Sequence, residues 1–221
     1  MTVYQISALV LLSGFASLDR LAGMNIMLSR PFVVAGIIGF IFGNLEICLL
    51  TGMLFEFLGM IEVPVGTTVS NDDTFGGYAA SLLVATGAAS HNAVSLLFCV
   101  CAAVVMMYPV TLSDRYCRNF NQWLIAESVK HNKSNFESRL IYYGLIISFL
   151  RGVVIYNGAA FVIWCFLYFV DKIHNTFYSP YMSLILLAIF MGGYLVKFFS
   201  VNVVLKTCLL VCGIVFGWFV L

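Results

Sequence analysis

Apolar stretches follow one another along this chain with hardly a charge inside them: 6–18, 32–45, 47–61, 79–112, 140–170 and 181–221. Hydrophobic residues make up 62% of the sequence and charged residues 10%, with a mean hydropathy of +1.02. A soluble domain carries about 25% charged residues, because its surface must be wetted. Too little charge is present here to coat a globule, which excludes a soluble enzyme. The net charge of +1 supplies no clustered basic face for a nucleic-acid partner. The sequence therefore predicts an all-α fold: a polytopic helical membrane protein, read as a single transmembrane domain over residues 1–221 because no Ser/Pro-rich linker divides it. Residues 1–5 carry no Lys or Arg ahead of the first apolar stretch. That stretch is expected to stay in the mature chain rather than act as a cleaved signal.

The short stretches say most about architecture. Stretch 6–18 ends at Asp19-Arg20, and 32–45 and 47–61 are separated only by Asn44 and Glu46. At about 1.5 Å per residue the latter two reach roughly 21 Å, short of a ~30 Å hydrocarbon core. Short, glycine-interrupted segments of this kind predict discontinuous or re-entrant helices. Residues 63–78 are too polar for lipid and either leave the membrane or line a site. Stretch 79–112 forms one long span or two half-spans around Ser90-His91-Asn92. Segment 113–139 holds Arg115, Arg118, Lys130, Lys133 and Arg139 against Asp114, Glu127 and Glu137. This excess of positive charge predicts a cytosolic loop. Its partial stripe of Phe120, Trp123 and Leu124 fits an interfacial arm. Stretch 181–221, interrupted by Lys197, Asn202 and Lys206, is read as two helices. Gly36, Gly39 and Gly43, Gly192-Gly193, and Gly213 with Gly217 are candidate sites of close helix packing.

An ionisable side chain in hydrocarbon costs at least ~2.5–3.5 kcal/mol on insertion scales, so each one inside an apolar run needs a reason. Glu56 and Arg151 are two such residues. Either they neutralise each other and hold helices together, or one or both face a hydrophilic substrate, for which carboxylate and amide groups suit a sugar. Asn71-Asp72-Asp73 is a helix N-cap ahead of Phe75, a ligand site, or both. Consecutive carboxylates point about 100° apart on a helix, which rarely serves one metal ion. The seven cysteines form no Cys-x-x-Cys pair, and read as apolar packing residues rather than ligands. His91 and His174 read as loop residues rather than phosphoacceptors. No nucleophile elbow, phosphate-binding loop or zinc-protease motif appears, and no cofactor is expected.

Several of these elements together resemble a known family. Arg30-Pro31, Gly43-Asn44, Phe55-Glu56 and the run from Gly66 to Asp72 are similar, in order and spacing, to the IIC membrane subunit of the mannose/fructose/sorbose family of the bacterial phosphotransferase system. The likeness is good over 15–85 and loose beyond 140, where Arg151 resembles the family's intramembrane arginine and Met191-Gly192-Gly193-Tyr194 its glycine-rich late segment. Asn25 stands where a glutamine is expected, Asn44 where an aspartate is, and Asn71 where a proline is.

The resemblance implies a multi-pass subunit of the bacterial cytoplasmic (inner) membrane that translocates a sugar of the hexose class. It implies a IID membrane partner, cytoplasmic IIA and IIB phosphocarriers that perform the phosphoryl transfer, and an oligomer of the IIC–IID complex. It also implies that the chain itself is a transport subunit, not an enzyme. Carried over by position, Glu56 and Asp72 would bind sugar hydroxyls, with Asn25, Asn71 and Arg151 completing the substrate site. Two other classes stand beside this reading. One is a degenerate homologue kept as a membrane scaffold or receptor. The other is a membrane-embedded enzyme of lipid or isoprenoid substrates, with a metal held at Asp72-Asp73.

Overall fold

The computed structural model describes residues 2–22, 26–61, 70–87, 93–130 and 137–173. Among them every regular element is helical: α1 (Val3–Ala22), α2 (Pro31–Phe42), α3 (Leu45–Ile61), α4 (Asp73–Ala85), α5 (Ala93–Lys130), α6 (Glu137–Arg151), a π turn (Gly152–Tyr156) and α7 (Asn157–Ile173). Two helical stretches, Leu96–Glu127 and Ile141–Tyr168, are long and apolar enough to cross a membrane. The second runs unbroken through α6, the π turn and α7.

Helices α2, α3 and α4 pack on one another as a compact unit. With 12, 17 and 13 residues, they reach only about 18, 26 and 20 Å at 1.5 Å per residue, so each is shorter than the ~30 Å hydrocarbon layer. The short helices expected over 32–45 and 47–61 are α2 and α3. Arg30 precedes α2 in an extended conformation and Pro31 opens it, a position where the missing N–H costs nothing. Gly43 closes α2 with φ 78°, a left-handed conformation that glycine adopts freely, and the chain turns at once into α3.

Small residues set how closely this unit packs. A β-carbon on Gly77 of α4 would lie 2.7 Å from Cβ of Pro31, and one on Gly52 of α3 would lie 3.0 Å from the Pro31 carbonyl oxygen. Gly39 likewise lets α2 lie against the Leu45 backbone and Cys48, so part of the predicted Gly36/Gly39/Gly43 packing stripe works inside the α2–α3 hairpin.

Around this unit, α1 lies along α6 and the π turn, while α5 packs against α4 and α7. The shared core is apolar, with Ile38, Phe55, Phe75, Tyr78, Ile163 and Leu167 closed off from solvent.

Several boundaries differ from the sequence reading. Helix α1 runs on through Asp19 and Arg20 to Ala22, because both side chains find partners inside the protein. Stretch 79–112 divides into α4 and α5 on either side of residues 88–92, which lie outside the described residues together with His91. The polar segment becomes helical at Asp73, and residues 73–78 are largely buried. Residues 113–130 continue α5 without a break. Asn25, His174, the glycine pairs beyond 190 and the whole of 181–221 fall outside the described residues.

Candidate functional site

The N-terminus of α4 leaves backbone N–H groups without helical partners, and Asp72 answers them: its Oδ1 accepts the Phe75 N–H at 3.0 Å. Of the open readings for Asn71-Asp72-Asp73, the cap is realised, and Asp72 is the residue that forms it. The same carboxylate is 0% exposed, so the rest of its charge must be met internally. Arg151 Nη2 donates to Oδ2 at 3.1 Å, the Tyr156 hydroxyl lies 2.9 and 3.0 Å from the two oxygens, and Arg20 Nε is 3.6 Å from Oδ1. The Asp72 N–H donates to Thr111 Oγ1 at 2.9 Å, which fixes the start of α4 against α5.

Arg151, in the middle of the second long helix, spreads its guanidinium donors over three other helices. Nε donates to Ser113 Oγ at 2.8 Å, Nη1 to Ser17 Oγ at 3.1 Å, and Nη2 to the Val110 carbonyl at 3.1 Å as well as to Asp72. The Asp114 carboxylate, 1% exposed, also pairs with Nη2. The guanidinium stands 5.5 Å over the Tyr156 ring, a further attraction for a desolvated cation. A planar five-donor fork suits this arrangement better than a point charge does.

Arg20 completes the network from the end of α1. It pairs with Asp73, approaches Asp114 at 3.9 Å, and donates to the Asn71 carbonyl at 2.7 Å and to Thr74 Oγ1 at 3.1 Å. Two guanidinium groups and three carboxylates thus tie α1, the start of α4, the middle of α5 and the α6–π junction into one cluster. Its inner members are dry, but Arg20 and Asp73 retain 16% and 19% side-chain exposure. They line a polar cleft of about 330 Å³ together with Ser29, Arg30 and Thr74. Asp19, in the same wall, accepts the Ile26 and Ser29 N–H groups at 2.8 Å each and holds the α1–α2 connection. A second, part-buried polar chain runs through the bundle: the Tyr78 hydroxyl donates to Asn157 at 2.7 Å, and Asn157 donates to Ser13 at 2.9 Å.

Glu56 has other partners. Arg30 Nη1 donates to its Oε1 at 3.2 Å and the Phe32 N–H to its Oε2 at 3.3 Å. This carboxylate on α3 therefore caps the N-terminus of α2 and pairs with Arg30, which lines the cleft. Of the two readings of Glu56 and Arg151, mutual neutralisation is not realised: Arg30 answers Glu56, while Asp72 and Asp114 answer Arg151. Of the expected substrate residues, the structure brings Asn71, Asp72 and Arg151 together around Arg20 and sets Glu56 apart beside Arg30. Asn25 lies outside the described residues.

Three members of the cluster were not singled out from sequence. Arg20 and Asp114 looked like the charged edges of apolar runs, and Tyr156 like one aromatic among many. A signal was available for two of them: Asp114 and Arg20 each lie within one helical turn of small hydroxyl residues, Thr111 with Ser113 and Ser17 respectively, polar groups that an apolar helix does not need.

A family model described as a phosphotransferase-system sorbose-specific IIC component matches residues 3–196. Among solved structures, a chain of the mannose transporter ManYZ in complex with microcin E492 is similar to this one over 99% of this chain and 96% of its own, with a TM-score of 0.59 and 14% identity. A structure described only as a membrane protein covers 99% of this chain and 95% of its own, with a TM-score of 0.63 and 14% identity. At that identity the likeness speaks for the fold. No curated protein matches the sequence.

Proposed function

Because this chain belongs to the family of phosphotransferase-system sorbose-specific IIC components, a family of multi-pass inner-membrane transport subunits, we propose that it carries an uncharged hexose-class sugar past the polar cleft between α1, α2 and α4. The observation that carries the reading is the charge cluster of Arg20, Asp72, Asp73, Asp114 and Arg151 inside an otherwise apolar bundle. Placing such groups in hydrocarbon is costly and in membrane proteins marks a substrate path. The wet edge of this cluster opens into the cleft.

Partner roles follow from the family. A IID subunit would complete the membrane complex, several such complexes would associate, and cytoplasmic IIA and IIB proteins would carry the phosphoryl group. Glu56, paired with the cleft-lining Arg30, is the proposed sugar contact on α3. Asp72, Asn71 and Arg151 support the site by clamping four helices. Asn25 is proposed from the family resemblance alone.

The test is uptake. The chain is expressed with a IID subunit and matching IIA and IIB proteins in cells lacking other routes for the sugar. Accumulation of phosphorylated, radiolabelled sorbose or mannose is then followed with and without the chain. Accumulation that needs the chain supports transport. Assembly of the complex without accumulation, across a panel of hexoses, would overturn it. That outcome would favour a membrane scaffold, a reading to which one observation lends weight: each charged member of the cluster is already paired with another protein group.

A further inference from the structure

Two consecutive aspartates diverge at the start of α4. Asp72 is spent: its oxygens receive the Phe75 N–H, the Tyr156 hydroxyl and Arg151, and it is wholly buried. Asp73 is the one that reaches the cleft. Resting on the transport reading above, we propose that Asp73, held in place by Arg20, is a carboxylate that meets the neutral sugar.

The surroundings of Asp73 are shaped around it. Its described hydrogen bonds, from Arg20 Nη1 and from the Thr74 N–H at 3.0 Å, both fall on Oδ1. Its far side lies on Gly59 of α3. A β-carbon added at Gly59 would stand 2.9 Å from Asp73 Cγ and 3.1 Å from Cβ, and would overlap Oδ2. Only glycine leaves room for the carboxylate there, and Gly59 is one turn on from Glu56, whose partner Arg30 lines the cleft.

Charge balance selects the ligand. Arg20 is matched by Asp73 and Arg30 by Glu56, while Asp19 is occupied by two backbone N–H groups. Among the described residues Arg20 and Arg30 are both engaged by carboxylates, so neither is left over to neutralise an anionic sugar. A neutral polyol fits, since a carboxylate accepts from one hydroxyl while the adjoining guanidinium donates to the next. Arg20 is a positioning residue in this scheme. It reaches Asp72 at 3.6 Å and Asp114 at 3.9 Å, so the cleft-facing carboxylate is tied to the dry part of the cluster.

The experiment uses the chain co-expressed with a IID subunit in right-side-out membrane vesicles loaded with matching IIA and IIB proteins and their phosphoryl donor. Initial uptake rates are measured for radiolabelled sorbose, mannose and other neutral hexoses, with glucuronate as a charged competitor. Asp73→Asn should raise KM roughly 10- to 150-fold while IID copurification stays intact, the loss expected for one charge-assisted hydrogen bond. Gly59→Ala should move KM in the same direction with every charge retained, because it displaces the carboxylate by bulk alone. Arg20→Lys should also raise KM, with less effect on maximal rate. Glucuronate should not compete in the native protein.

Native KM in both Asp73→Asn and Gly59→Ala, with a transporting parent, would overturn the assignment of Asp73 and leave the transport reading standing. Loss of IID copurification in both would overturn it too, by making Asp73 structural. Competition by glucuronate would overturn the neutral ligand class. A parent that takes up no hexose would remove the transport reading itself, and this inference with it.

Discussion

Arg151 and Tyr156 lie five positions apart in sequence, yet both side chains converge on the carboxylate of Asp72. In an uninterrupted α-helix residues five apart point about 140° away from each other. The π turn at Gly152–Tyr156 removes that divergence, since i→i+5 hydrogen bonding brings residues five apart onto one face. Gly152 assists, because any β-carbon there would run into the Ser13 carbonyl and Ser17 of α1.

The π turn yields a first expectation. Tyr156→Phe removes one hydroxyl from a fully buried carboxylate and should destabilise the protein by about 1–3 kcal/mol. Inserting an alanine after Val154 should do more, because it places the tyrosine six positions after Arg151 and swings it out of the cluster. Thermal melting of the detergent-solubilised complex checks both. Equal Tm values for the two variants would remove the π turn from the argument.

The buried cluster predicts an ordering between its aspartates. Asp72→Asn deprives two guanidinium groups of a shared counter-charge, although the amide oxygen can still cap α4. Breaking a buried ion pair from one side costs about 3–5 kcal/mol, so the variant should lose most of its accumulation in the membrane. Asp114→Asn should be milder. The cluster holds three carboxylates against two guanidinium groups, and this change leaves two against two with the carboxylate cap in place. Comparing the yield of folded protein for the two variants by size-exclusion profile tests the ordering. A reversed order would mean that Asp114, not Asp72, anchors Arg151.

Helix approach inside the short-helix unit is set by missing side chains, which gives a third expectation. A methyl group at Gly77 would sit 2.7 Å from Pro31 Cβ and 2.9 Å from Pro31 Cα, and neither atom can swing aside as a flexible side chain would. Gly77→Ala should therefore destabilise by about 1–3 kcal/mol, the usual cost of overpacking. Gly158→Ala, with open space around its β-carbon, is the control and should be neutral or slightly stabilising. Melting temperatures of the two decide the matter.

How much of this was legible beforehand depends on the range of each interaction. The apolar runs declare a membrane protein because that signal is carried by composition alone. The shortness of 32–45 and 47–61 declares broken helices for the same local reason. Glu56 and Arg151 announce themselves as charges in apolar surroundings, but their partners do not. Arg151 meets Asp72 across 79 positions and Ser17 across 134, and no local pattern encodes which distant helix will lie alongside. Arg20 and Asp114 were hidden by a boundary effect. Placed at the ends of apolar runs they look like ordinary flanking charges, whereas α1 continues to Ala22 and α5 to Lys130. Tyr156 was hidden by periodicity, since a reading at 3.6 residues per turn puts it on the wrong face.

Glu56 supports the last expectation, because its two roles separate cleanly on substitution. Its Oε2 accepts the Phe32 N–H, a task that the amide oxygen of Gln can also perform, so Glu56→Gln should keep the entry into α2. Its charge answers Arg30, whose side chain is 53% exposed. An ion pair so open to solvent contributes only about 0–1 kcal/mol. Assembly with a IID subunit should thus survive the substitution. If the carboxylate also meets the sugar, the variant forfeits a charge-assisted hydrogen bond, and uptake at low sugar concentration should fall roughly 10- to 150-fold. The two quantities are read from one preparation, as copurified IID and as initial rate of radiolabelled hexose uptake. An intact complex with native uptake would confine Glu56 to capping α2. A broken complex would mean instead that the Arg30 pair, despite its exposure, holds the α2–α3 hairpin together.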